Sequence, residues 1–155
     1  MVLKLYDTLT REVREVFPMD EKAVRFYGCG PTVYGPAHIG NFRTFVMQDV
    51  FRRVLETSGQ KTFHVRNLTD VDDKTIRQSQ EEGIKLEDFT DKWTARFRKD
   101  CELLNLMSPH AEPSAVGHIP EQISLIQRLI DAGKAYQASD GSVYFKVEAF
   151  SEYGR

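Results

Sequence analysis

The sequence predicts an α/β fold carried by a parallel sheet. Two observations predict it. Short apolar runs at residues 22–27 and 61–66 flank a stretch of helical periodicity at 41–57, and a strand–helix–strand unit of this size calls for parallel strands with a right-handed crossover. Between the first strand and the helix lies a glycine-rich loop, YGCGPTVYGPAHIGNFR from Tyr27 to Arg43. A loop of that kind, ending at a helix N-terminus, turns backbone N–H groups and the positive end of the helix dipole toward a phosphate.

The elements follow in order. Residues 4–8 read as a short strand or an arm, and the polar stretch 12–22, which contains Pro18, as a connecting loop. Residues 22–27 form the first strand of the sheet. In the helix at 41–57, Phe42, Phe45, Val46, Val50 and Val54 recur at helical spacing, and Gly59 is placed to end it. Strand 61–66 (KTFHVR) leads into NLTDVDDK. A helix at 72–82 follows, stopped by Gly83 and capped by Thr69 or Asp70. The helix at 86–104 carries Leu86, Phe89, Trp93, Phe97, Cys101 and Leu104 along one side. Its Trp93–Phe97 stripe reads as core, Cys101 as an inert buried thiol, and Arg96, Arg98 and Lys99 as a solvated face. Residues 107–113 (MSPHAEP) read as a loop and 119–132 as a helix closed by Gly133. Residues 135–147 read as a hairpin whose Asp140–Gly141 tip favours a type I′ turn.

Composition narrows the class of protein. The 155 residues are 41% hydrophobic with a formal net charge of −2, enough apolar content for a core and too little positive charge for a protein that coats nucleic acid. No apolar run approaches the roughly 20 residues needed to span a bilayer, and the N-terminus lacks the apolar centre of a signal peptide. The two cysteines, Cys29 and Cys101, form no CxxC motif, which points to a reducing, cytoplasmic setting.

The candidate chemistry sits in the loop. His38, Ile39, Gly40 and Asn41 stand where the helix starts. An imidazole there can donate to a phosphate oxygen, and Gly40 lets a ligand approach. His38 alone reads as a helix cap; with Gly28, Gly30, Gly35 and the preceding strand it favours nucleotide binding. Cys29, between two glycines, reads as a nucleophile, a metal ligand or, on spacing alone, a small buried cysteine at a tight turn. One cysteine cannot hold zinc, which needs about four ligands. The acids of TDVDDK read as capping groups before they read as a magnesium site.

These residues, YGCGPTVYGPAHIGNFRTFVMQDV with FHVRNLTDVDDK after them, closely resemble the N-terminal catalytic region of cysteinyl-tRNA synthetases, and the resemblance takes in LYDTLTRE and AEPSAVGHI. It implies a Rossmann-like parallel sheet over residues 1–113 and, over 114–155, the start of a connective insertion that includes the hairpin. It implies ATP-dependent activation of L-cysteine to an adenylate, with Mg2+ accompanying ATP, and transfer to tRNA(Cys). His38–Asn41 is similar to the HIGH signature of class I synthetases, with Asn41 where the signature has histidine. On this basis His38 and Asn41 are the catalytic candidates, and His38, Gly40 and Asn41 the ATP-binding ones. Gly30, Thr32 and Thr69 are candidates for the cysteine pocket, and Cys29 for one ligand of a zinc ion whose other ligands are expected beyond Arg155. The KMSKS-like loop of the family does not occur here, so the chain is expected to be an inactive piece of a longer enzyme that self-associates through exposed edges. A cysteine:amino-sugar ligase of the mycothiol pathway is the nearest alternative, and a non-catalytic nucleotide-binding module the alternative of another class.

Overall fold

The computed structural model describes residues 2–20 and 22–154. They form two compact units, Met1–Gly117 and His118–Arg155.

The first unit opens with a hairpin. β1 (Lys4–Asp7) pairs antiparallel with β2 (Glu12–Glu15), where the sequence suggested a loop for the second of these. The turn explains the difference: an Asp7 carboxylate oxygen accepts the Leu9 N–H at 2.9 Å, and Arg11 adopts a left-handed φ of 59°. Both strands are almost wholly exposed, so no alternation of apolar residues marked β2 as a strand.

The strand–helix–strand unit forms as expected. β3 (Val24–Gly28) and β4 (Thr62–Arg66) are parallel in register Val24–Thr62 to Gly28–Arg66. α1 (Ile39–Thr57) connects them. It buries Phe42, Phe45, Asp49 and Leu55 while Val46 and Val50 stay exposed. The inward face is therefore rotated from the one the apolar spacing suggested. Asp49 is tolerated inside because its carboxylate accepts from Arg53 Nε at 2.6 Å and from the Met107 N–H at 2.8 Å.

α2 (Asp73–Glu82) is capped by Asp72, not by Thr69 or Asp70. Asp72 Oδ1 accepts from the Lys74 and Thr75 N–H groups, and Gly83 ends the helix in the left-handed region at φ 68°. Asp70 instead accepts from the Val116 N–H at 2.9 Å. α3 (Leu86–Leu103) buries Phe89, Thr90, Thr94, Phe97 and Cys101. Phe42, Phe45, Phe97 and Cys101 make one core cluster, with Ala37 and Leu106 against it.

The stretch expected to be a loop after α3 extends the sheet. Val65 bridges Ala111 and Leu68 bridges Ser114, both parallel. Arg66 N–H donates to Ala111 C=O, and Leu68 N–H to Pro113 C=O. Pro109 and Pro113 hide the segment in sequence, because proline argues against a strand. An ion network holds it down: the buried Arg66 pairs with Glu112 at 2.7 Å, and the exposed Arg98 pairs with the same carboxylate at 2.8 Å. Arg98 stays on the solvated face expected of it, its side chain 56% exposed, and reaches Glu112 from there.

The second unit holds α4 (Ile119–Asp131) and an antiparallel hairpin of β5 (Ala135–Gln137) and β6 (Val143–Phe145). Gly133 follows α4 with φ 67°. The hairpin tip is not type I′. Gly141 has φ 88°, but Asp140 is not left-handed, and Gly141 N–H donates to Ala138 C=O. That is a type I turn closed by a glycine bulge, in which the glycine alone needs a positive φ.

Candidate active site

A cavity of about 340 Å3 opens where β3 ends and α1 begins, within the size range of small-ligand sites, roughly 300–1,000 Å3. Cys29, Gly30, Thr32, Asn41, Thr44 and Lys74 line it, with Tyr34, Phe45 and Phe97 among its walls. Phe97 is both core residue and cavity wall. Of the predicted site residues, Cys29, Gly30, Thr32 and Asn41 meet in this cavity; His38, Gly40 and Thr69 lie next to lining residues without lining it themselves.

His38 is the N-cap of α1. Its Nδ1 accepts the Gly40 N–H at 3.1 Å, and Asn41 Oδ1 accepts the His38 N–H at 3.0 Å, closing a reciprocal capping box. A Cβ on residue 40 would stand 2.9 Å from the His38 ring, so a side chain there would push the capping ring aside. The Asn41 and Phe42 N–H groups both donate to His38 C=O. The N–H groups of residues 40–42 are therefore spent inside the protein. What this end of α1 offers an anion is its dipole, about half a charge, and the His38 ring. With Nδ1 accepting, the proton of the neutral imidazole sits on Nε2, free to donate outward.

Cys29 is exposed, which overturns the buried-turn reading. Its peptide link to Gly30 is held at both polar atoms. Gln48 Nε2 donates to Cys29 C=O at 3.0 Å, and Gly30 N–H donates to Asn67 Oδ1 at 2.8 Å. Glycine is obligatory at 30: a Cβ there would fall 1.6 Å from Asn67 C=O. Asn67 also accepts from the Tyr27 hydroxyl at 2.6 Å and donates through Nδ2 to Thr69 Oγ1 at 2.9 Å. Thr69 joins Thr32 by a parallel bridge, in which Val33 N–H donates to Thr69 C=O and Thr69 N–H to Pro31 C=O.

Sequence reasoning missed Asn67, Gln48 and Lys74. Asn67 had a readable signal, a polar residue just past the carboxyl end of a sheet strand, where α/β sheets place their ligands. Lys74 reaches over the Tyr34 ring, its Nζ 5.0 Å from the centroid, and puts a positive charge beside the cavity.

Zinc is not held by these residues alone. Among the described residues no three of His, Cys, Asp and Glu come together to hold a metal ion, and Cys29 supplies one sulfur donor where about four ligands are needed. The buried His64 does not line the cavity. Burial first, then the charges of Arg66, Arg52 and His110, hold the His64 imidazole down to about 4, against a smaller opposing effect of Asp49. His64 stacks on Phe26 at 4.4 Å. His110 accepts the His64 N–H through Nδ1 at 3.0 Å and serves the fold. Burial pushes the Cys101 thiol up, in keeping with an inert core cysteine.

Residues 15–155 match the family described as tRNA synthetases class I (C) catalytic domain. A cysteine–tRNA ligase of Opitutus terrae is 58% identical over all of this chain and 35% of its own length. One of Koribacter versatilis is 44% identical over all of the chain and 31% of its own length, and one of Methanosarcina acetivorans 48% identical over 99% and 32%. The chain thus spans about a third of the length of these relatives. A crystal structure of a ternary complex of Agrobacterium radiobacter LeuRS with tRNA and LeuAMS superposes with a TM-score of 0.64 at 18% identity, over 82% of this chain and 18% of that one; at that identity the likeness speaks for the fold alone. The glycine-rich loop, the capped helix and the parallel strands around them are those of a catalytic domain, and the chain belongs to the class I (C) tRNA synthetase catalytic-domain family.

Proposed function

We propose that this chain is the nucleotide-facing part of a cysteine–tRNA ligase, which activates L-cysteine with ATP and passes it to tRNA(Cys) in the cytoplasm. The observation that carries the reading is the juxtaposition at the mouth of α1, where a histidine cap with its ring proton on Nε2 adjoins a cavity lined by Cys29, Gly30, Thr32 and Asn41. In this reading residues 1–113 are the first part of the Rossmann-like domain and 114–155 begin its connective insertion.

Activation is an in-line attack of the cysteine carboxylate on the α-phosphate of ATP, with pyrophosphate leaving, and depends mainly on positioning and charge stabilisation. The helix dipole and the His38 Nε2–H meet the phosphate charge. Asn41 holds the cap and lines the cavity. Gly30, Thr32 and Thr69 shape the cysteine pocket beside it. Cys29 is one sulfur donor to zinc, with the remaining ligands supplied from outside residues 1–155, and Mg2+ enters with ATP. The activity belongs to the whole protein; residues 1–155 by themselves are inactive and self-associate.

Cysteine-dependent exchange of pyrophosphate into ATP, followed by charging of tRNA, tests the reading on the protein that contains this chain. Exchange and charging are expected with cysteine and not with serine. Exchange without tRNA charging, or cysteine transfer to an amino-sugar, overturns the tRNA assignment.

A further inference from the structure

We propose that Asn67 is a positioning residue for cysteine: it fixes the Cys29–Gly30 peptide and sets the orientation of the Thr69 hydroxyl in the cysteine pocket. The proposal rests on the cysteine-activating reading given above.

The orientation of the Asn67 amide follows from chemistry. Gly30 N–H is a donor and nothing else, so the Asn67 atom 2.8 Å from it must be the oxygen. The same oxygen takes the Tyr27 hydroxyl proton at 2.6 Å. Nδ2 then faces Thr69 Oγ1 at 2.9 Å and donates to it. A hydroxyl that already accepts from an amide has its own proton left to give. Thr69 Oγ1 then keeps one lone pair and its own proton for a bound amino acid, both in directions set by Asn67. One side chain therefore sets two things at once. Through Gly30 it fixes the peptide that carries Cys29, which Gln48 holds from the other side at 3.0 Å. Through Thr69 it sets the direction of a hydrogen bond in the cysteine pocket.

The test compares Asn67→Asp, Asn67→Ala and wild type in the full protein that contains this chain. Asn67→Asp still accepts from Gly30 and Tyr27, so the peptide clamp survives, but a carboxylate takes the Thr69 proton for itself. KM for cysteine is expected to rise about tenfold or more, the worth of one such hydrogen bond, with KM for ATP unchanged within about twofold. Asn67→Ala is expected to raise both the cysteine KM and the hydrogen-exchange rate of the Gly30 amide, the latter by about tenfold or more. Equal movement of the cysteine and ATP constants in Asn67→Asp, or no movement of either, overturns the proposal. So does unchanged exchange at Gly30 in Asn67→Ala, a readout that needs no substrate. Absence of cysteine-dependent activity in wild type sinks the functional reading instead, and is told apart by occurring without any substitution.

Discussion

His38 divides its work between two nitrogens, and the two can be separated. Asparagine is as good an N-cap as any residue and lacks an outward donor at the Nε2 position. His38→Asn is expected to hold stability within about 0.5 kcal/mol while cysteine-dependent pyrophosphate exchange falls roughly 100-fold, as for loss of one preorganised donor. Thermal unfolding run beside the exchange assay checks both; an active His38→Asn enzyme would remove the ring from the mechanism. His64 is a different case, only 2% exposed with no partner for either ring nitrogen among the described residues. Its folded pKa of about 4 lies below the ordinary 6.5. Between those values the unfolded chain binds a proton that the folded chain refuses, so stability is expected to drop as pH falls through that window. Urea unfolding at pH 7.5 and 5 measures the drop, and His64→Phe, which preserves the ring stack on Phe26, should flatten it. Neither nitrogen's fate was legible in KTFHVR, because burial is a property of what packs over a strand and not of the strand itself.

At the scale of elements, the sequence was most readable where local chemistry and tertiary packing agree. The parallel pair β3–β4, the termination of α2 by Gly83 and the start of α1 near His38 all follow from short-range rules. The inward face of α1 does not, because Asp49 replaces an aliphatic residue there and depends on Arg53 and on the distant Met107 N–H. The segment at 110–115 was equally hidden, its strand character supplied by β4 and by a carboxylate shared between two arginines. Arg66 is the buried partner of that pair, and its guanidinium also lies 5.0 Å from the Phe97 ring centroid. Glu112→Gln is expected to cost about 3–5 kcal/mol, since it strands the Arg66 charge in the core. Adding Arg66→Met should restore most of the loss. The urea midpoints of both variants decide the matter, and a single variant as stable as wild type would show that the pair is not what holds the segment. Of the candidate site, the capped loop was legible from its residue types. The position of Asn67 past a strand end was a readable signal, but its bonds to Tyr27 and Gly30 were not, because they form only when β3 and β4 pair.

At the scale of the whole molecule, apolar surface is left uncovered. Val46, Met47 and Val50 are exposed along α1, and Ile123, Leu125 and Ile126 along α4. Surfaces of this kind usually belong against further protein. Residues 1–155 on their own are therefore expected to form concentration-dependent oligomers, read by sedimentation velocity, and Val46→Lys with Val50→Glu should shift them toward monomer. A monomer at every concentration in the unsubstituted chain would show that these strips tolerate water. β3 carries a related consequence. Among the described residues it pairs along one side only, with β4, and the cavity opens at its carboxyl end. Any strand that comes to lie along its other side extends the sheet and at the same time raises a wall beside Cys29. Completing the architecture and enclosing the substrate would then be a single event, so that ligand affinity reports on assembly and assembly on ligand.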